Sequence, residues 1–337
     1  LIWTAVGGRF GLIGPVAGAV LIGFMAAGLR DSFRYWEVAV ALVFILVVLK
    51  MPGGISGLFS AALSRFGGKR QFRDSGVAPA MLAGKEHRAT PDLRFDSVGV
   101  SMGPVRILNG LSFAIARSGI HCIIGPNGAG KTSALNVLTG RLPLGGGEIS
   151  WRGISLGNTR PFIAARNGIG RKFQVPSIFP ELSVRQNIEI ALWANRIGTV
   201  EMLSMRPYGW TTQMLGELET RFPFLQQGDK TAGSLSVGQR QMLDFSMTVL
   251  AEPDLVLLDE PCAGLSTDET RQMIEAIAAI AGQTKGTFII IEHDMQVVER
   301  LSDHVLDMHQ GALLANGTMT ESRANADVAR VYSGGSK

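Results

Sequence analysis

The sequence predicts an α/β fold of the P-loop type, preceded by a short all-α membrane segment. Three stretches carry that expectation. Gly125-Pro126-Asn127-Gly128-Ala129-Gly130-Lys131-Thr132 follows the apolar run Ile120 to Ile124 and precedes a helix-like segment, Ser133 to Thr139, stopped by Gly140. Leu255 to Leu258 are four apolar residues ending in Asp259 and Glu260, which reads as a buried parallel strand delivering carboxylates to its C-terminal edge. Phe10 to Leu29 are 20 residues without a charge, bounded by Arg9 and Arg30.

The chain of 337 residues has room for a P-loop domain and something more. It is apolar for a wholly water-exposed enzyme, with 46% hydrophobic residues and a mean hydropathy of +0.21. The net charge of +4 is unevenly placed: residues 1–91 hold ten Lys or Arg against four Asp or Glu, and the remainder 22 against 24. A basic N-terminal part with a slightly acidic remainder argues for a membrane-surface face and against nucleic acid as a partner. Cys122 and Cys262 show neither disulfide nor metal spacing, which suits a reducing cytosol.

Phe10 to Leu29 is long enough at about 1.5 Å per residue to cross a bilayer. Gly14 and Gly18 form a G-x-x-x-G, continued by Gly23 and Gly28, which favours close packing against other membrane helices. The second apolar run, Val38 to Leu49, has twelve residues, extended by Tyr35 and Trp36 at one interface and a snorkelling Lys50 at the other. A buried helical hairpin in water is the alternative for the pair. Lys50, Arg65, Lys69, Arg70 and Arg73 then place the end of the second segment on the cytoplasmic side. Residues 67–91 show no period and read as a linker, which gives domains of 1–66, 67–91 and 92–337.

In the P-loop pattern the glycines let successive backbone N–H groups converge on phosphate oxygens without a Cβ in the way. The helix that follows adds its positive end. Residues Gly125 through Ser133 are therefore expected to hold ATP, with Lys131 on the β- and γ-phosphates and the Thr132 hydroxyl on Mg²⁺. Asp259 is expected on Mg²⁺ through its water shell, and Glu260 to polarise the attacking water. Leu93 to Val100 and Gly110 to Ala116 alternate as two antiparallel strands. Residues 184–233 read mostly as helix, Thr287 to Ile291 as a strand, Val305 to Met308 with Ala312 to Ala315 as a hairpin, and Glu321 to Tyr332 as a helix.

As a set, these motifs resemble those of ABC ATPases over residues 92–335. Gly168-Ile169-Gly170-Arg171-Lys172-Phe173-Gln174 is similar to the family's Q-loop, which implies Gln174 touching Mg²⁺ or the attacking water. Leu235-Ser236-Val237-Gly238-Gln239 resembles the signature L-S-x-G-Q, implied to meet the γ-phosphate bound by a second, head-to-tail copy or paralogue. His293 matches the switch histidine, implied to orient Glu260. Met102 falls where relatives carry an aromatic residue that stacks on adenine, and Ser266 where many carry an Asp. The resemblance implies a RecA-like core, an antiparallel β subdomain and an α-helical subdomain.

The stretches Arg166 to Gln174, Cys262-Ala263-Gly264-Leu265 and Glu292-His293-Asp294-Met295 are most similar to ATPase subunits of urea and branched-chain amino acid importers, and Arg171-Lys172-Phe173-Gln174 with Thr4-Ala5-Val6-Gly7-Gly8-Arg9 leans to urea or short amides. Trp3-Thr4-Ala5-Val6-Gly7-Gly8-Arg9, Gly14-Pro15-Val16-Ala17-Gly18-Ala19 and Ala41 to Pro52 resemble the closing segment of the same family's permease. The resemblance implies permease subunits, a periplasmic solute-binding protein and the inner membrane as partners, with the ATPase on the cytoplasmic face. An ABC-type ATPase acting on nucleic acid or ribosomes is the alternative, and a permease remnant serving only as a tether is a third reading.

Overall fold

The computed structural model describes residues 80–81, 92–194 and 210–333. The chain separates into two units, Leu1–Val77 and Ala78–Lys337. The expected membrane segments and the permease-like piece fall in the first and lie outside the described residues. Among the described residues, no helix is long and apolar enough to cross a membrane.

In chain order, the second unit begins with the short strand β1 (Ala80–Met81), then β2 (Leu93–Met102), β3 (Val105–Ile115) and β4 (Gly119–Ile124). Helix α1 (Lys131–Leu138) follows the P-loop, then β5 (Gly146–Trp151), β6 (Ile154–Ser155), α2 (Pro161–Arg166) and β7 (Ile169–Lys172). Next come α3 (Val184–Trp193), β8 (Trp210–Thr211), α4 (Gln213–Arg221), α5 (Val237–Leu250) and β9 (Leu255–Asp259). The chain continues with α6 (Thr267–Thr284), β10 (Thr287–Ile291), α7 (Met295–Leu301), β11 (His304–His309), β12 (Ala312–Gly317), α8 (Met319–Ala324) and α9 (Ala326–Ser333).

The main sheet has the order β12-β11-β4-β10-β9-β7, parallel except for β12 at one edge. Both of its faces are covered, which is why its strands read as continuous apolar runs. Alternate residues point to opposite faces. Val256, Leu258, Phe288 and Ile290 join one core with Met242, Phe245 and Val249 of α5 and Met273, Ile277 and Ile280 of α6. Leu255, Leu257, Ile289 and Ile291 join another with Leu135 and Leu138 of α1 and with Leu93, Phe95 and Phe113 of the antiparallel sheet β3-β2-β5-β6.

Several details differ from expectation. The second strand starts at Val105 rather than Gly110, and Met102 ends β2 instead of lying in the loop. The turn is Gly103-Pro104, while Gly110, at φ 66, lies within the strand, in an irregularly paired stretch of the β2–β3 ladder. Ala80–Met81, inside the expected linker, pair in parallel with Trp210–Thr211; strands of two residues leave no period to read. The C-terminal helix is two helices, interrupted at Asn325, whose side-chain oxygen accepts from Asp327 N.

The β11–β12 turn, Gln310 (φ 47) and Gly311 (φ 78), has the left-handed pair that a two-residue hairpin demands. Gly311 N donates to Ala129 O (3.0 Å) and Gly311 O accepts from Asn109 N (2.8 Å), so the turn braces the back of the P-loop. A Cβ at Gly311 would fall on the Ile107 carbonyl. Gly311→Ala is therefore expected to cost about 1–3 kcal/mol, read as a lower melting temperature. An unchanged melting temperature would show that the brace is slack.

Candidate active site

The P-loop leaves β4 at Gly125, whose φ of 147 and contact with the Met308 carbonyl leave no room for a Cβ. Gly130, at φ 95, caps α1. Lys131 is buried, and its Nζ donates to the carbonyls of Gly125 (2.8 Å) and Pro126 (3.0 Å). Burial lowers the pKa of this ammonium, opposed by the charges of Glu260 and Asp259. Thr132 Oγ1 donates to Asp259 Oδ1 at 3.3 Å.

Asp259 ends β9 and Glu260 turns away from it in the left-handed region, at φ 48, its N–H donating to Ile291 O (2.9 Å). Glu260 Oε2 accepts from Gln174 Nε2 at 2.9 Å, and Oε1 accepts from His293 Nε2, also at 2.9 Å. Gln174, Glu260 and His293 come from the ends of β7, β9 and β10, which pair side by side in the same direction. The parallel sheet thus gathers the three expected catalytic side chains at one edge, beside the P-loop that leaves β4.

Four residues given no role of their own by the sequence reading also belong here. Glu292, 5% exposed, accepts from Cys262 N (2.9 Å) through Oε1, tying the loop after β10 to the loop after β9. Burial raises its pKa. Lys172 is wholly buried on the opposite side of β7 from Arg171; burial lowers its pKa, opposed chiefly by the charge of Asp244. Burial pushes Asp244 up to about 6, partly offset by Lys172 and by a hydrogen bond from Ser177 N. Arg171 reaches Asp259 directly. An acid placed straight after a fully apolar strand is the one available hint for Glu292; a basic pair on alternate faces of a strand is the hint for Arg171 and Lys172.

The signature segment stands at the start of α5. Leu235 is buried; Ser236 caps the helix and exchanges hydrogen bonds with Gln239 (3.1 and 3.2 Å), a capping box. Val237 is 55% exposed. Among the described residues, no hydrogen bond joins this segment to the P-loop of its own chain, so the structure does not bring those two expected site components together. Met102 is likewise at a surface, 61% exposed. Gly238 is buried under the carboxylate of Glu269, where a Cβ would collide; Glu269 in turn caps α6 through Ser266 N and Oγ (both 2.9 Å).

A P-loop at the C-terminal edge of a parallel sheet, with an acid pair ending the second strand along from it, defines a P-loop nucleoside triphosphatase. The "ABC transporter" family model matches residues 108–263. The chain is 34% identical to the high-affinity branched-chain amino acid transport ATP-binding protein LivG of Salmonella typhimurium, over 72% of this chain and 98% of that one. It is 30% identical to the corresponding protein BraF of Pseudomonas aeruginosa over the same shares. The ADP conformation of an ATP-binding cassette of an ABC transporter superposes with a TM-score of 0.61 at 25% identity, covering 73% of this chain and all of that one. The chain belongs to the ABC transporter family, as an ATP-hydrolysing, ATP-binding subunit.

The Gly238–Glu269 contact lies within one chain and is open to a double-mutant cycle. Gly238→Ala is expected to cost at least about 1 kcal/mol more in the wild-type background than beside Glu269→Ala, measured by denaturant unfolding. Equal costs in both backgrounds would show that the carboxylate yields freely.

Proposed function

We propose that this chain powers uptake of a small polar solute through a membrane importer, with Glu260 polarising the attacking water. The observation that carries the reading is the pair of 2.9 Å hydrogen bonds holding Glu260 between Gln174 and His293. A carboxylate fixed from both sides costs little reorganisation when a proton is handed to it. Gly125 through Ser133 hold the phosphates, Lys131 giving up its two carbonyl contacts to reach the β- and γ-oxygens, and Met102 covers the base by dispersion. The Gln174 amide nitrogen is engaged by Glu260, which frees its carbonyl for the metal or the water.

Thr132 and Asp259 supply two hard oxygens 3.3 Å apart beside the P-loop lysine, a donor set that fits Mg²⁺. When bound, the ion neutralises charge on the transferred phosphoryl group. The exposed Ser236 and Val237 and the half-buried Gln239 of the signature suit a γ-phosphate carried by a second ATPase copy or paralogue. Permease subunits, a periplasmic solute-binding protein and the cytoplasmic face of the inner membrane complete the proposed setting, and residues 1–66 are proposed to be a permease-derived membrane piece. The names of the curated relatives support branched-chain amino acids as the solute; the Arg171-Lys172-Phe173-Gln174 wording supports urea or short amides.

Glu260→Gln is expected to bind ATP with wild-type affinity while turnover falls at least about a hundredfold, within the range for a general base. Turnover at the wild-type rate would remove Glu260 from that role. Lys131→Ala is expected to lose at least about tenfold in ATP affinity by equilibrium binding, and unchanged affinity would remove the P-loop assignment. The solute is tested in proteoliposomes holding this chain, the permease subunits and the binding protein. ATPase stimulation by urea and not by leucine would select the amide branch, and the reverse the amino acid branch. No stimulation by any small solute would end the transport reading.

A further inference from the structure

Arg171 is placed where an ordinary surface arginine would not be. Its side chain is 5% exposed, and one amino nitrogen donates to Asp259 Oδ2 at 3.1 Å, against a carboxylate only 2% exposed. The other donates to Thr139 Oγ1 at 2.9 Å, and that hydroxyl donates to Leu135 O (2.7 Å) in the last turn of α1. The guanidinium also lies over the Phe173 ring at 4.7 Å, with Arg141 over the same ring at 4.5 Å.

The two oxygens of Asp259 are thus allotted to different groups: Oδ2 to Arg171, Oδ1 to Thr132. Strand parity explains why. Arg171 pairs in register with Leu257, two residues before Asp259, so both side chains emerge on the face that carries α1. Burying a guanidinium is costly, and the geometry returns a forked set of hydrogen bonds that a lysine could not reproduce.

We propose that Arg171 is a positioning residue for magnesium: by holding Oδ2 it locks the Asp259 carboxylate so that Oδ1 faces Thr132 and the phosphate loop. The same side chain, stacked on Phe173, sets where the chain leaves β7 and hence where Gln174 meets Glu260. A guanidinium acting on a metal ligand from behind tunes metal affinity without touching the nucleotide. The proposal rests on the assignment of Asp259 to the metal.

The test uses the full chain and a fluorescent ATP analogue, titrated with MgCl₂, for Arg171→Lys, Arg171→Met and Asp259→Asn. Binding without Mg²⁺ should stay within about twofold of wild type in both Arg171 variants. The Mg²⁺ concentration giving half-maximal tight binding should rise about tenfold, more for Met than for Lys. Arg171→Lys keeps the charge and so serves if Arg171→Met does not fold. A wild-type Mg²⁺ midpoint in Arg171→Lys, with the midpoint shifted in Asp259→Asn, would overturn the role of Arg171 alone. An unshifted midpoint in Asp259→Asn would overturn the Asp259 assignment and the proposal with it.

Discussion

The parallel pairing of β4, β10 and β9 is the constraint on which everything else depends. Thr287 lies level with both Gly119 and Leu255, and Ile291 with Ile123 and Asp259, so the three strands start level and end within a residue of one another. The P-loop, Glu260 and His293 follow those ends, and β7 adds Gln174 from the next position. Shifting one strand by a single residue would turn its buried side chains to the other face and carry its terminal acid or loop out of reach. Catalytic geometry here is a property of strand register before it is a property of any side chain.

That register also separates two chemistries across one sheet. On the face toward α1, Arg171, Asp259 and Thr132 form a polar line next to the phosphate loop. On the opposite face Lys172, Asp244 and Glu292 are buried among the helices that lead to the signature segment. Buried charges of this kind rarely add stability, because desolvation offsets their attraction. Burial raises the pKa of both carboxyls, Asp244 to about 6.

How much of this could be read in the chain follows from how local each feature is. Gly125 to Thr132 and Leu255 to Glu260 announce themselves because motif and flanking strand are contiguous, and the turn at Gln310-Gly311 carries its own backbone demand. Gly110 misled because a glycine that ends a strand and one that relieves an irregular ladder look the same in one dimension. Asn325 was invisible as a break because Ala and Arg surround it and its capping bond forms only after the first helix has stopped. Arg171 could be read as part of a Q-loop, yet its hold on Asp259 needs the β7–β9 register, 88 residues apart in sequence. Glu269 over Gly238 is of the same sort: each residue is legible as a cap or a signature position, and only the tertiary packing makes them neighbours.

The brace from Gly311 onto Ala129 has a consequence for how the protein is made. The strand, loop and helix of the P-loop motif are complete by Leu138, but the hairpin that backs them comes roughly 170 residues later. At about 5–20 residues per second of synthesis, the ribosome leaves the half-built cradle unsupported for some ten seconds or more. A nascent chain in that interval has every glycine of the motif but not the hairpin that backs it.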